Sequence, residues 1–356
     1  MSGAAAVDPR PGRPTLAQGR GFGHNDEMED RSPASTLEWL MSPTCPPIRY
    51  LTARDLVAEP IPGRELEILR REIQQWEPLQ QILRLQRDDG SFPPGQKTPT
   101  AQPTFTALTL FQRSAMDVND EPVRRTVDYL TDNHLNKGAA SYTSGGSGVL
   151  PCYLGTVALA LIKMGAFDSE LVQSSIQWLV NHQRFDTRSN KAGGEHPWPY
   201  KAPDNYGCWE SVSCYHGVAA AFRAFAAIAP EKRSTDVQVR LEQAIEYLRP
   251  RRLYKKTTTD RPLFRHMKQL FLVGDYRFDL LDMLSGIADA DPNLVDEDWV
   301  AEAVDDMNTL TVDGRVILAK NYGRKLIDPI PLEPVGEPSR FLTYQWVQTQ
   351  RLLGLE

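Results

Sequence analysis

Six short stretches of this chain are apolar on nearly every side, and their repetition restricts the fold more than any single motif does. Four are interior, at residues 103–112, 150–164, 211–229 and 273–288. Two are terminal: Pro47, Ile48, Arg49, Tyr50, Leu51 and Thr52 are echoed by Pro338, Ser339, Arg340, Phe341, Leu342 and Thr343. Between them, segments 67–85, 121–134, 169–182, 235–248 and 296–307 are amphipathic and carry charge. A helix apolar all round is buried on both sides, whereas a helix with one charged face covers it from outside. A linear stack of such pairs would leave two apolar ends, and the likeness of the first and last units predicts closure instead. The expected architecture is all-α, an (α/α)6 toroid of six inner and about six outer helices.

Closure also fits the length. At 356 residues the chain exceeds the ~250–300 at which one core usually stops growing, but each unit of a closed repeat extends the same core. Residues 1–34 are rich in Gly, Pro, Arg and acids without a hydrophobic period, so they are expected to form a flexible tail ahead of a single domain at 35–356. Basic and acidic residues are interspersed and the formal net charge is −6, which leaves no electrostatic footprint for nucleic acid. The one basic run, 249–256, reads as a solvated helix end or as a short anion site. Four cysteines without a framework spacing, and no apolar signal-peptide core, point to a reducing cytoplasm. The most apolar stretch, 149–164, is short and interrupted by Pro151, so no transmembrane helix is expected. No strand pair is predicted, and nothing in the sequence specifies an oligomeric state.

A second repeated element is Gln86-Arg87-Asp88-Asp89-Gly90-Ser91-Phe92, with weaker relatives at 312–315 and around Gly193 and Gly194. Gly supplies the positive φ of a turn, Asp braces it through the backbone, and the aromatic pins it on a neighbour. This segment resembles the Gln-Trp-type clasp of squalene and terpene cyclases, and the six-unit pattern from residue 36 onward is similar to their toroidal domain. Glu38-Trp39-Leu40, the Arg-Tyr-Leu-Thr at 49–52 and the Tyr-Arg-Phe-Asp-Leu-Leu at 276–281 resemble, more narrowly, short single-domain bacterial prenyltransferase/squalene oxidase repeat proteins. The resemblance implies a ligand cavity within the inner helices and, by analogy, chemistry on an isoprenoid or other apolar small molecule.

Residues that open the inner segments would line one mouth of such a cavity. Cys214 and His216 lie in the run that begins at Cys208 and leads into 211–229. Protein prenyltransferases hold zinc through an Asp, a Cys and a His at inner-helix starts, so the resemblance makes Cys214 and His216 metal candidates. Zinc would make a thiolate nucleophilic or acidify a bound water. On a regular helix the two side chains point about 200° apart, so both reach one ion only where the segment is irregular. Otherwise they form a buried cysteine beside a hydrogen-bonded histidine. Cys152 opens the preceding inner segment and either faces the same mouth or fills core.

Asp275 and Asp279 are spaced one helical turn apart, on one face. A carboxylic acid in an apolar cavity keeps its proton and can donate it to an alkene, epoxide or carbonyl. Type II cyclases do so from an Asp-x-Asp-Asp motif that this chain lacks, and helix capping by Asp275 or ion pairing by Asp279 are the structural alternatives. Arg49 and Arg340 hold matching positions, where they either grip a carboxylate or diphosphate or brace the closing seam. Arg265 and His266 precede the same segment as Asp275 and either help bind an anion or lie on a loop surface. Tyr50, Phe105, Tyr153, Tyr215, Tyr276, Phe341 and Trp346 either present π faces to the cavity or fill the core.

Three functions are compatible with these residues. The first is acid–base cyclisation or isomerisation, with Asp275, Asp279, His216 and Cys214 catalytic and Cys152, Tyr153, Tyr215, Tyr276, Arg49, Arg340 and Trp346 around the substrate. The second is a zinc-dependent prenyltransferase-like transferase or lyase. The third is a non-catalytic toroid that binds a lipid or a partner chain.

Overall fold

The computed structural model describes residues 33–93, 101–136, 139–141, 149–186, 213–322 and 332–355. The expected tail up to residue 32, the clasp relative at Gly193 and Gly194, and the run from Cys208 to Val212 lie outside the described residues. The described residues form thirteen α-helices: α1 Pro33–Leu40, α2 Pro46–Asp55, α3 Gly63–Gln75, α4 Glu77–Arg84, α5 Gln102–Arg113, α6 Glu121–His134, α7 Pro151–Lys163, α8 Glu170–His182, α9 Tyr215–Ala226, α10 Thr235–Leu248, α11 Leu280–Ala290, α12 Asp298–Asn308 and α13 Arg340–Leu352. None is long and apolar enough to cross a membrane.

The two helix types separate as their composition dictates. In α9 every residue from Gly217 to Ala226 is buried, and α7 buries Pro151 through Ala158 without interruption. By contrast α3 buries only Leu69 and Ile73, and α12 buries Trp299, Val300, Ala303, Val304 and Met307, a single stripe at helical spacing. Six helices pack in series, α5 on α7, α7 on α9, α9 on α11, α11 on α13 and α13 on α2. Against them lie α6 on α5, α8 on α7, α10 on α9, α12 on α11 and α3 on α2.

Helix starts follow local chemistry. Proline occupies the first turn of α2, α5, α6 and α7, where its missing N–H costs nothing. Ser169, Ser234 and Ser339 accept from the backbone N–H three residues on, capping α8, α10 and α13. The outer segment 67–85 is two helices rather than one, because Pro78 cannot continue the α3 ladder and Trp76 takes an extended conformation before it.

The clasp at 86–92 forms as expected. The Gln86 amide donates to the Pro122 carbonyl and to Thr126 Oγ1, each at 2.8 Å, and Gln86 Oε1 accepts from Arg125 at 2.8 Å. Asp89 braces the Ser91 N–H at 2.9 Å, Gly90 has φ +85°, and Phe92 is buried edge-on to Phe111. One side chain thus ties the end of the first outer unit to the start of α6. Gln86→Ala should cost about 1–2 kcal/mol, since it strips partners from part-buried backbone groups, and a urea melt should show the loss at an unchanged slope.

Two short antiparallel pairs form where no strand was expected. Leu135–Asn136 pairs with Ala139–Ala140, and Thr311–Val312 with Arg315–Val316. In the second, Asp313 and Gly314 both take positive φ, the turn that Asp-Gly favours in a two-residue hairpin.

The second and last of the described helices, α2 and α13, meet. Tyr344 on α13 donates to Asp55 on α2 at 2.5 Å, and Arg351 donates to the Asp55 and Leu56 carbonyls at 3.0 Å. Arg49 and Arg340, read as a substrate grip or a seam brace, make structural pairs here and are not among the residues that line the cavity described below. Arg49 pairs with Glu72 on α3 at 3.0 Å, and Arg340 lies over the Trp39 ring at 4.5 Å. The basic run is likewise spent on structure: Arg252 pairs with Glu302 and Asp260, Lys255 with Glu302 and Asp306, and Arg249 and Arg251 lie over Trp299 and Tyr247.

Candidate functional site

Two features lie side by side: a cavity among the buried helices, and a cluster of rings beside it. The cavity has a volume of about 130 Å³ and takes side chains from α2, α5, α7, α9, α11 and α13 and from the 271–278 loop. Four of these helices point polar residues inward at three-, four- or seven-residue spacing. These are Thr109, Gln112 and Arg113 on α5; Thr156 and Lys163 on α7; Asp282, Ser285 and Asp289 on α11; and Gln345, Gln348 and Thr349 on α13. From α9 a single charged residue enters, Arg223. Aromatic lining comes from Phe271, Phe278, Phe341 and Tyr344. The lining mixes seven charged residues with four aromatic ones and several aliphatic side chains.

The polar groups form two sets. Asp282 accepts from Arg113 at 3.5 Å and from the Gln345 amide at 3.2 Å; Gln345 also donates to Ser285 at 3.0 Å and accepts from Arg113, and Ser285 bonds Thr349 at 2.8 Å. Toward the C-terminal ends of α7 and α11, Asp289 holds both Lys163, at 2.8 Å, and Arg223, at 3.2 Å. Gly286 leaves Arg223 its room: a Cβ there would sit 2.8 Å from Arg223 Cδ.

The ring cluster gathers at the start of α9. His216 stacks on Phe264 at 4.6 Å and on His266 at 5.3 Å, and meets the edge of Tyr276 at 5.4 Å. Tyr153, on the first turn of α7, lies 5.3 Å from Tyr276 and 6.0 Å from Phe105. The Arg277 guanidinium lies over the Tyr276 and Tyr322 rings at 4.4 and 4.6 Å and donates to the Tyr276 hydroxyl at 2.9 Å. Because Asp275 and Arg277 also line the cavity, they join the two features.

Both imidazoles are neutral near pH 7. Burial, reinforced by His266 and Arg277, brings His216 down to about 3, and burial with Arg277 and Lys320 brings His266 down to about 4. His216 Nδ1 and His266 Nε2 are buried and have no hydrogen-bond partner among the described residues. Burial keeps the Tyr276 phenol protonated, with Cys152, Asp275 and Cys214 near enough to add to that and Arg277 opposing it.

The sequence-predicted residues divide accordingly. His216, Tyr276, Tyr153, Cys152 and Cys214 come together at the cluster. Asp275 and Asp279 do not share a helix face: α11 begins only at Leu280, and Asp275 sits in the preceding loop with φ +56°. Asp275 accepts from Thr106 at 3.3 Å and faces Arg277 at 3.8 Å. Asp279 is the cap of α11; its two oxygens accept the Phe271 and Asp282 N–H groups at 3.0 and 2.9 Å, which commits it to structure. Burial, with the Asp282 charge beside it, pushes its carboxyl well upward. Tyr215 is a pillar: it is buried and its hydroxyl donates to the Leu253 carbonyl at 2.6 Å. Trp346 is buried and outside the cavity lining. Among the described residues no three His, Cys, Asp or Glu side chains converge to hold a metal ion, so Cys214 and His216 find no third ligand there.

Sequence reasoning passed over Arg113, Arg223, Asp282, Asp289, Lys163 and Gln345. Their signal was present: polar residues spaced as one helix face inside segments otherwise apolar all round. No family model matches the chain, and no curated protein matches it.

Proposed function

We propose that the chain is a closed (α/α)6 toroid and an acid–base enzyme, which isomerises or cyclises a small molecule seated in the central cavity with its reacting carbon turned toward Tyr276, His216 and His266. The observation that carries this reading is the pair of stacked imidazoles with buried, unpartnered nitrogens beside a phenol. Buried polar groups are ordinarily satisfied, and those left open cluster where a reaction uses them. The run of packed helices from α5 through α13 to α2, its last contact tied by Tyr344 and Asp55, supports closure.

In this reading the protonated Tyr276 hydroxyl, positioned by Arg277, is the acid that lends its proton to a substrate oxygen and takes it back as the product forms. A neutral imidazole is the partner that takes a proton from carbon and hands it back elsewhere on the substrate, so that the enzyme returns to its starting state. Cys152 and Cys214 border the cluster, and Tyr153 walls it. The charged lining favours a polar substrate over a hydrocarbon chain.

Proton exchange tests this across many candidate substrates at once. The protein is incubated in D2O with a pool of small carbonyl and unsaturated acids and amides, and deuterium on carbon is followed by NMR. The wild type should exchange at least one member, and Tyr276→Phe and His216→Gln should lose about 10²–10⁴-fold of that rate with unchanged circular dichroism. A wild type that binds members of the pool yet exchanges none would make the chain a binding protein.

A further inference from the structure

We propose that the central cavity is a receptor for the carboxylate of a short-chain acid, gripped by Arg113 and Arg223; this rests on reading the cavity as the substrate site. Arg223 is only 4% exposed and is the one charged residue that α9 places in the cavity. Its Nη1 reaches Asp289, but its Nε is buried without a hydrogen-bond partner among the described residues. A guanidinium offers five donors in a fixed fork, and leaving one unmet in a buried site is costly. Arg113 repeats the arrangement from α5: it is tied to Asp282 and Gln345 and its Nε is also orphaned.

Charge points the same way. The lining carries four cations against three carboxylates, because Asp289 alone answers both Lys163 and Arg223. Asp279 stands behind the lining, its oxygens taken by backbone N–H groups, and burial favours its neutral form. The surplus is therefore one positive charge in a partly desolvated space, which a single carboxylate neutralises. A phosphate at about −1.5 to −2 would overshoot it. Two guanidinium edges suit the planar, two-oxygen geometry of a carboxylate, and a cavity of about 130 Å³ suits an acid of a few carbons whose far end extends toward Arg277 and Tyr276.

The test is calorimetric titration of the full chain at fixed ionic strength with butyrate, butanamide and inorganic phosphate. Butyrate should bind one to one, butanamide at least tenfold more weakly, and phosphate without displacing butyrate. Arg223→Gln and Arg113→Gln should each weaken butyrate at least tenfold. Arg113 is the more exposed of the two, so R113Q keeps the test alive if R223Q does not fold. Equal binding of acid and amide, displacement by phosphate, no binding of butyrate, or full affinity in a folded R113Q would each overturn the proposal. Binding that obeys these rules in a protein that exchanges no deuterium would leave the carboxylate site standing and remove the enzymatic reading; exchange without acid selectivity would do the reverse.

Discussion

Gly155→Ala should destabilise the protein by about 2–3 kcal/mol, although the same change in an open helix is worth about 1 kcal/mol of stabilisation. The reason is a close approach of two helices. A Cβ at Gly155 on α7 would lie 2.6 Å from the Ala220 carbonyl carbon and oxygen and 2.7 Å from its Cβ, on α9. Those are backbone atoms of a helix buried on every side, so they cannot swing away as a side-chain tip would. Strain must instead move α9, which carries both His216 and Arg223. Gly63→Ala is the control: it is also helical, with nothing within 4 Å of its added Cβ. Thermal midpoints should fall for Gly155→Ala and hold or rise for Gly63→Ala; a stabilised Gly155→Ala would mean that α7 and α9 do not meet this closely.

Acid should act on the wild type and on His216→Phe differently. A histidine depressed in the folded state contributes stability that is full above its unfolded value near 6.5 and lost as pH falls toward its folded value, about 3 for His216. The loss is up to about 1.4 kcal/mol per pH unit, and phenylalanine, which can keep the stack on Phe264, does not suffer it. His216→Phe should therefore gain about 2 kcal/mol on the wild type between pH 6.5 and 4.5. Taking the difference matters because Glu333 acts with the opposite sign. Burial raises it to about 7 despite its bonds to Ser339 and Arg340, so its contribution is present at low pH and lost as pH rises from 4.5 through 7. Asp306 acts in a third window. Burial would raise it, but Lys255, Lys268 and Tyr254 together hold it at about 2, and its contribution is lost only as pH falls from 3.8 through 2. A parallel pair of pH–stability curves for wild type and His216→Phe would contradict the buried setting of this ring.

The helices were legible in the sequence because burial on all sides and burial on one side leave different patterns. Segments 121–134 and 235–248 are α6 and α10 to the residue, and the clasp glycine Gly90 needed its positive φ as the motif required. The start of α11 was misplaced because an apolar run does not reveal where its helix begins. Val273 and Phe278 are buried as loop residues, and the boundary is set by Asp279 reaching both Asp282 and Phe271. The cavity was harder still, since motif reasoning looks for neighbours in sequence. Arg113, Arg223 and Asp289 belong to three different helices and meet only after packing. Arginine inside an alanine-rich helix such as α9 was nevertheless a visible exception, because a buried guanidinium demands partners.

The assembly of His216, His266 and Tyr276 carries the functional reading, and nuclear Overhauser spectroscopy on histidine- and tyrosine-labelled protein tests it directly. Ring separations of 5.3 and 5.4 Å predict cross-peaks from His216 to both His266 and Tyr276, with neither imidazole titrating above about pH 5. Absent cross-peaks, together with two ordinary midpoints near 6.5, would contradict it.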